Sequence, residues 1–117
     1  MKYLVLLIGD GDEPDWATMT EAEQAAAMQR FADFDAVCAE RDGVSILGGE
    51  ALEGADATTV LRTRDGQRSV TEGPYAEAIE GLGGFYLIEA PDHDVLIELL
   101  GVLPAYDMQV MPVSVLG

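Results

Sequence analysis

The chain has 117 residues, of which 49% are hydrophobic and 24% charged, so it suits one globular domain with one core and is not a disordered segment. Its charge is lopsided: 22 acidic residues against 6 basic ones give a formal −16 at pH 7, a field that repels phosphates and argues against direct binding to nucleic acid or to an anionic membrane. The single cysteine, Cys38, leaves no internal disulfide, and the apolar start at 3–8 is too short for a membrane span and is followed by no cleavage site. A cytoplasmic protein is expected, and the lone lysine with many alanines suggests a high-GC bacterial source.

In chain order, Lys2–Ile8 is apolar at nearly every position, which predicts a strand buried on both faces. An acidic loop at 9–19 follows. Thr20 with Glu23 three residues on is a capping box, opening a helix that runs to about Arg41. Ala27, Phe31, Phe34 and Cys38 form one apolar stripe along it, with Arg30, Asp33 and Arg41 on the other side. Gly43 is a candidate C-cap. Val44–Leu52 reads as a strand interrupted by Gly48-Gly49, the mark of a bulge or a close backbone approach. Thr58–Arg64 and Gln67–Thr71 flank Asp65-Gly66, a strong hairpin signal whose register sets Thr63 opposite Arg68 and Arg62 opposite Ser69. Gly83–Ala90 is a second strand apolar on both faces. Asp92 is placed to cap a short helix at 94–102, and Met108–Val115 is a last strand whose Pro112 suits a sheet edge.

The order β-α-β-hairpin-β-α-β predicts one domain of a ferredoxin-like α+β fold, in which the first and third main strands are central. Those are the two strands with two apolar faces. Two helices cover only one face of such a sheet, and a bare apolar face is a patch that soluble monomers avoid. A two-fold dimer with the two sheets packed into a barrel is therefore expected.

The densest local pattern is Thr71–Tyr86, TEGPYAEAIEGLGGFY: a turn at Glu72-Gly73-Pro74, an aromatic at Tyr75, a carboxylate at Glu77 and a Gly-Gly entry into a strand. The longer segment VTEGPYAEAIEGLGGFYLIEAPD resembles the DGPF-motif branch of the YCII-related family, whose core runs roughly V-T-D-G-P-F-A-E-x-K-E-x-L-G-G-F. The start MKYLVLLIGD, the segment GVSILGGEAL and the hairpin TVLRTRDGQRSVTEGPY fit the same family. The resemblance implies a ferredoxin-like, dimeric α/β-barrel fold and, by analogy with other such barrels, an acid/base role on the cleft side. Some relatives are encoded near extracytoplasmic-function sigma factors, which implies as an alternative a non-catalytic regulatory module with a protein partner. Here Glu72 stands for the motif's Asp and Tyr75 for its Phe, which keeps a carboxylate and a ring. Ala78 and Ile79 replace a polar residue and a lysine, which removes that cation. The His–Asp pair described for the YCII branch has no counterpart, because the first helix and second main strand hold no histidine.

Among candidate site residues, Glu72 and Glu77 are a possible general base and its partner, since a carboxylate in an apolar cleft has its pKa raised. Tyr75 is positioned in the sequence to donate a hydrogen bond to a bound carbonyl or carboxylate. The plainer reading makes Glu72 and Tyr75 exposed turn residues and Glu77 a cap. Gly73, Pro74, Tyr75, Asp10 and Trp16 are the candidate ligand-binding positions, with Trp16 either anchoring the acidic loop or lining a pocket. His93 reads as a surface residue in the first turn of the second helix, and Cys38 as core. The loop from Asp10 to Asp15 is not an EF-hand, because Pro14 and Asp15 stand where a fifth-position oxygen ligand and a sixth-position glycine are required. Arg62, Arg64 and Arg68 either attract an anion or pair with nearby carboxylates. No metal or cofactor motif is read, and the pocket is expected between helices and sheet, near the motif turn and the loop after the first strand. A small organic molecule is the expected ligand.

Overall fold

A computed structural model describes residues 1–9, 11–73 and 81–115. Among them are six strands and two α-helices: β1 (Lys2–Ile8), α1 (Glu21–Glu40), β2 (Ser45–Ala51), β3 (Thr59–Arg64), β4 (Gln67–Glu72), β5 (Leu82–Glu89), α2 (His93–Leu100) and β6 (Asp107–Pro112). Short 3-10 turns lie at Trp16–Thr18 and Ala55–Ala57. The main sheet has the order β2-β5-β1-β6 with every neighbour antiparallel. This is a mixed α+β architecture compatible with the ferredoxin-like topology, and the two doubly apolar strands are its centre. The sheet is open, not closed into a barrel.

Local chemistry explains the elements. Thr20 Oγ1 accepts from the Glu23 amide at 3.1 Å and the Thr20 amide donates to Glu23 Oε1 at 3.0 Å, which satisfies two of the amide donors left free at a helix start. Asp92 caps α2 through Val95 N at 2.9 Å. The end of α1 differs from expectation: Arg41 is the C-cap, and Gly43 comes two residues later, in the following turn at φ +77°. The Asp65-Gly66 turn has φ +53° and +77°, as a two-residue hairpin matching strand twist requires. Its register is Thr63 opposite Arg68 and Arg62 opposite Ser69.

Along β2 the pairing slips between Ile46 and Gly48, a bulge that turns Leu47 outward. Gly49 then lies opposite Tyr86, where a Cβ would come within 2.8 Å of the Tyr86 ring and of the Phe85 carbonyl oxygen. The sequence left bulge and close approach as alternatives, and the strand uses both.

The core joins Tyr3, Val5, Leu7 and Ile88 of the sheet to Phe34 and Cys38 of α1 and to Leu96, Leu99 and Leu100 of α2. Both helices thus cover one face. On the other face, Leu4, Leu6 and Ile8 of β1 sit beside Phe85 and Leu87 of β5 and Met111 of β6, and none of these belongs to the core cluster. The molecule measures 49 × 43 × 18 Å, and since a helix layer alone takes about 10 Å, the short dimension accommodates one helix layer and one sheet. The β3–β4 hairpin is a separate two-stranded sheet with every β4 residue exposed. No helix among the described residues is long and apolar enough to cross a membrane.

Phe34 of α1, fully buried against Tyr86 of β5 at a ring-centroid distance of 5.2 Å, anchors this layer. Replacing Phe34 by Ala is expected to cost about 3–5 kcal/mol, against about 1 kcal/mol for Thr20→Ala at the exposed cap. Urea unfolding followed by circular dichroism measures both, and near-equal losses would contradict the assigned core.

Candidate functional site

At the carboxyl end of β1 the sheet stops being filled by side chains. The β1–β5 register slips between Leu7 and Ile8, which pair with Gly84 and Leu82 and leave Gly83 as an extra residue. The carbonyl of Gly83 accepts from Leu52 N at 2.8 Å, and Gly9 N donates to the Gly81 carbonyl at 2.8 Å. A run of residues with small or absent side chains (Gly9, Ala51, Gly81 and Gly83) therefore lines a hollow between the sheet end and α1. Met28 and Phe31 of α1, Trp16 of the acidic loop, Leu52 after β2, and Tyr106 before β6 complete its walls. The resulting cleft has a volume of about 540 Å³ and a mainly apolar lining.

The acidic loop is locked over the cleft by backbone contacts. Glu13 N donates to the Ala105 carbonyl at 3.2 Å. Gly11 packs so closely on the connection between α2 and β6 that a Cβ there would collide with the Ala105 carbonyl oxygen and the Asp107 amide nitrogen. Trp16 is held in a 3-10 turn whose carbonyl accepts from Gln24 Nε2 at 3.0 Å. Glu13, Pro14 and Asp15 form the acidic rim. Tyr106 stacks at a tilt against Phe31, with ring centroids 6.2 Å apart, and burial together with the Glu13 charge pushes its phenol pKa up.

The candidates named from sequence fall into three places. Trp16 lines the cleft and is about half exposed at 48%. Glu72 is exposed at the end of β4, opposite Thr59, and Gly73 at φ +77° donates to the Thr58 carbonyl at 3.0 Å; both belong to the hairpin base and neither lines the cleft. Asp10, Pro74, Tyr75 and Glu77 lie outside the described residues. The sequence reading passed over Glu13, Met28, Leu52 and Tyr106. Met28 carried a usable signal, because it is an apolar residue three positions before Phe31 and off the buried stripe, and it is 57% exposed.

Other candidates keep their structural roles. His93 opens α2 on the surface, with Nδ1 3.7 Å from Asp94 Oδ1. Cys38 is buried. No group of three or more metal-binding side chains is present among the described residues.

The fold and cleft together define a two-layer α+β domain with a hollow of metabolite size at the end of its central strands. A model of the YCII-related domain matches residues 1–114, and the chain belongs to the YCII-related family. No curated protein matches it.

In and against the core, burial pushes the Cys38 thiol from its ordinary 9 to about 11 and the Tyr86 phenol from 10 to about 12, with the Asp35 charge adding to both. Each is an acid kept neutral by the fold. The stability they lend is full below the unfolded-state values and is lost as pH rises through the folded ones. The melting temperature is thus expected to fall from about pH 9 upward, and Cys38→Ala to delay the onset towards the tyrosine range. Calorimetry across that range checks it, and a flat profile contradicts it.

Proposed function

We propose that this YCII-related protein binds a small organic molecule in the cleft between α1, the loop after β1 and the glycine-rich start of β5, and that it works as a homodimer. The observation that carries the reading is the cleft itself: about 540 Å³, walled by Trp16, Phe31 and Tyr106 and ringed by few polar groups, within the range of small-molecule sites. Proton transfer on the bound molecule is the chemistry proposed for it, with Glu77 as base and Tyr75 as hydrogen-bond donor. These residues precede the cleft-wall Gly81 by four and six positions in the chain. A carboxylate beside so apolar a lining would be driven towards a neutral pKa, as a general base needs. Glu72, exposed on the hairpin, is left out of this role.

The dimer reading is supported by the sheet face turned away from the helices, where Leu4, Leu6, Ile8, Phe85 and Leu87 are only partly buried and Met111 is exposed. Leu4, Leu6, Ile8, Phe85, Leu87 and Met111 make a contiguous apolar surface, and a second copy related by a two-fold axis would bury it twice, bringing the two sheets together as a barrel.

A thermal-shift screen of metabolites tests the binding reading. A ligand at 100 times its Kd is expected to stabilise the wild type by about 2.7 kcal/mol and to lose most of that effect with Leu52→Arg, which fills the cleft. Glu77→Gln is expected to bind the same ligand while losing turnover. If no compound stabilises the wild type more than Leu52→Arg, the binding reading fails. For the dimer, light scattering is expected to give twice the 12.5 kDa chain mass and Leu6→Glu to give the monomer; a wild-type monomer at micromolar concentration would overturn it.

A further inference from the structure

Accepting the cleft as a ligand site, we propose that its ligand is a small organic cation, an amine or quaternary ammonium on an apolar or aromatic body, and that carboxylates and phosphates are rejected.

The argument starts from where the positive charges are. The chain has six basic residues: Lys2, Arg30, Arg41, Arg62, Arg64 and Arg68. None of them lines the cleft. Lys2 begins β1, whereas the cleft lies at that strand's other end. Arg30, one residue from the cleft-lining Phe31, is turned to the end of α2, where its Nε donates to the Val102 carbonyl at 3.1 Å. Arg41 pairs with Glu98 at 3.4 Å. The other three belong to the β3–β4 hairpin. His93 stands at the start of α2 beside Tyr3. The stretch at 74–80 reads PYAEAIE and position 10 is an aspartate, so neither brings a positive side chain to the site.

An anionic ligand would thus enter an apolar hollow with no cation to meet it, against the field of a −16 chain, and would lose its hydration without return. A cation meets the opposite conditions. Glu13 and Asp15 line the cleft together with Trp16, Phe31 and Tyr106, and an aromatic ring presented by its face attracts a positive charge through its quadrupole. The Glu13 amide is tied to the carbonyl of Ala105, the residue before Tyr106, which keeps this acidic residue beside an aromatic wall.

The sole tryptophan, Trp16, gives the readout. Its fluorescence is titrated with three probes sharing one body: phenethylamine, 2-phenylethanol and 3-phenylpropionate. The amine is expected to bind about tenfold more tightly than the alcohol, the carboxylate weakest, and the amine's advantage to shrink as salt is raised. Glu13→Gln and Asp15→Asn, each checked for an unchanged melting temperature, are expected to weaken the amine and leave the alcohol unaffected. If the carboxylate binds as well as the amine, the cation inference is overturned while the cleft remains a binding site. If none of the three probes perturbs Trp16, the cation inference fails, while the binding reading stands or falls on the thermal-shift screen.

Discussion

Everything in this fold depends on the pairing of β1 with β5. These strands run antiparallel from Lys2 opposite Glu89 to Ile8 opposite Leu82, and each is apolar on both faces. A strand of that kind is stable only at the middle of a sheet, so β2 and β6 are forced to the edges. The inward residues Tyr3, Val5, Leu7 and Ile88 then fix where both helices lie, because α1 and α2 bury their apolar sides on that surface alone. Had the register slipped by one residue, the same strands would have turned Leu4, Leu6 and Leu87 towards the helices. The helix face instead takes the residues that interlock with Phe34, Leu96 and Leu99.

The cleft is a consequence of how that seam ends. Side chains fill the space between sheet and α1 as far as Leu7. Beyond it the strands present Gly81, Gly83 and Ala51, while α1 still presents Met28 and Phe31. The mismatch between a helix that keeps its large residues and a sheet that has lost them makes the hollow. The acidic loop cannot collapse into it, because Gly11 holds the loop against the Ala105–Asp107 backbone and the Glu13 amide ties it to the Ala105 carbonyl. Substituting any side chain at Gly11 would push the loop off that backbone and change the rim.

The topology was legible because it is written in local patterns. Short runs apolar on both faces mark the central strands, the Thr20–Glu23 box marks the start of α1, and Asp65-Gly66 sets the hairpin register to the residue. The end of α1 was less legible, since Gly43 carries the left-handed geometry of a cap signal but acts in the turn beyond Arg41. The site was legible only in part. The expected place was between helices and sheet, near the loop after β1 and the motif turn; the cleft borders that loop and includes Trp16, but Glu72 and Gly73 of the turn do not line it. Its walls did not follow, because Met28, Leu52 and Tyr106 come from three elements far apart in the chain, and only the register at the end of the sheet brings them together. Glu72 was attractive for its motif and not for its place: it ends a hairpin strand whose residues are all exposed.

The charge of the chain is best understood against the same geometry. No charged side chain is buried among the described residues, so the acidic excess is solvated, screened over about 8 Å at physiological salt, and has little part in choosing the fold. The cations do have architectural work: Arg30 and Arg41 tie α1 to the end of α2 through Val102 and Glu98. These exposed contacts are each worth at most about 1 kcal/mol, yet they hold two of the six positive charges on the side of α1 away from the cleft. Three more are committed to the hairpin. With cations so few and so placed, no basic side chain lines the cleft, where Glu13 and Asp15 stand with Trp16, Phe31 and Tyr106.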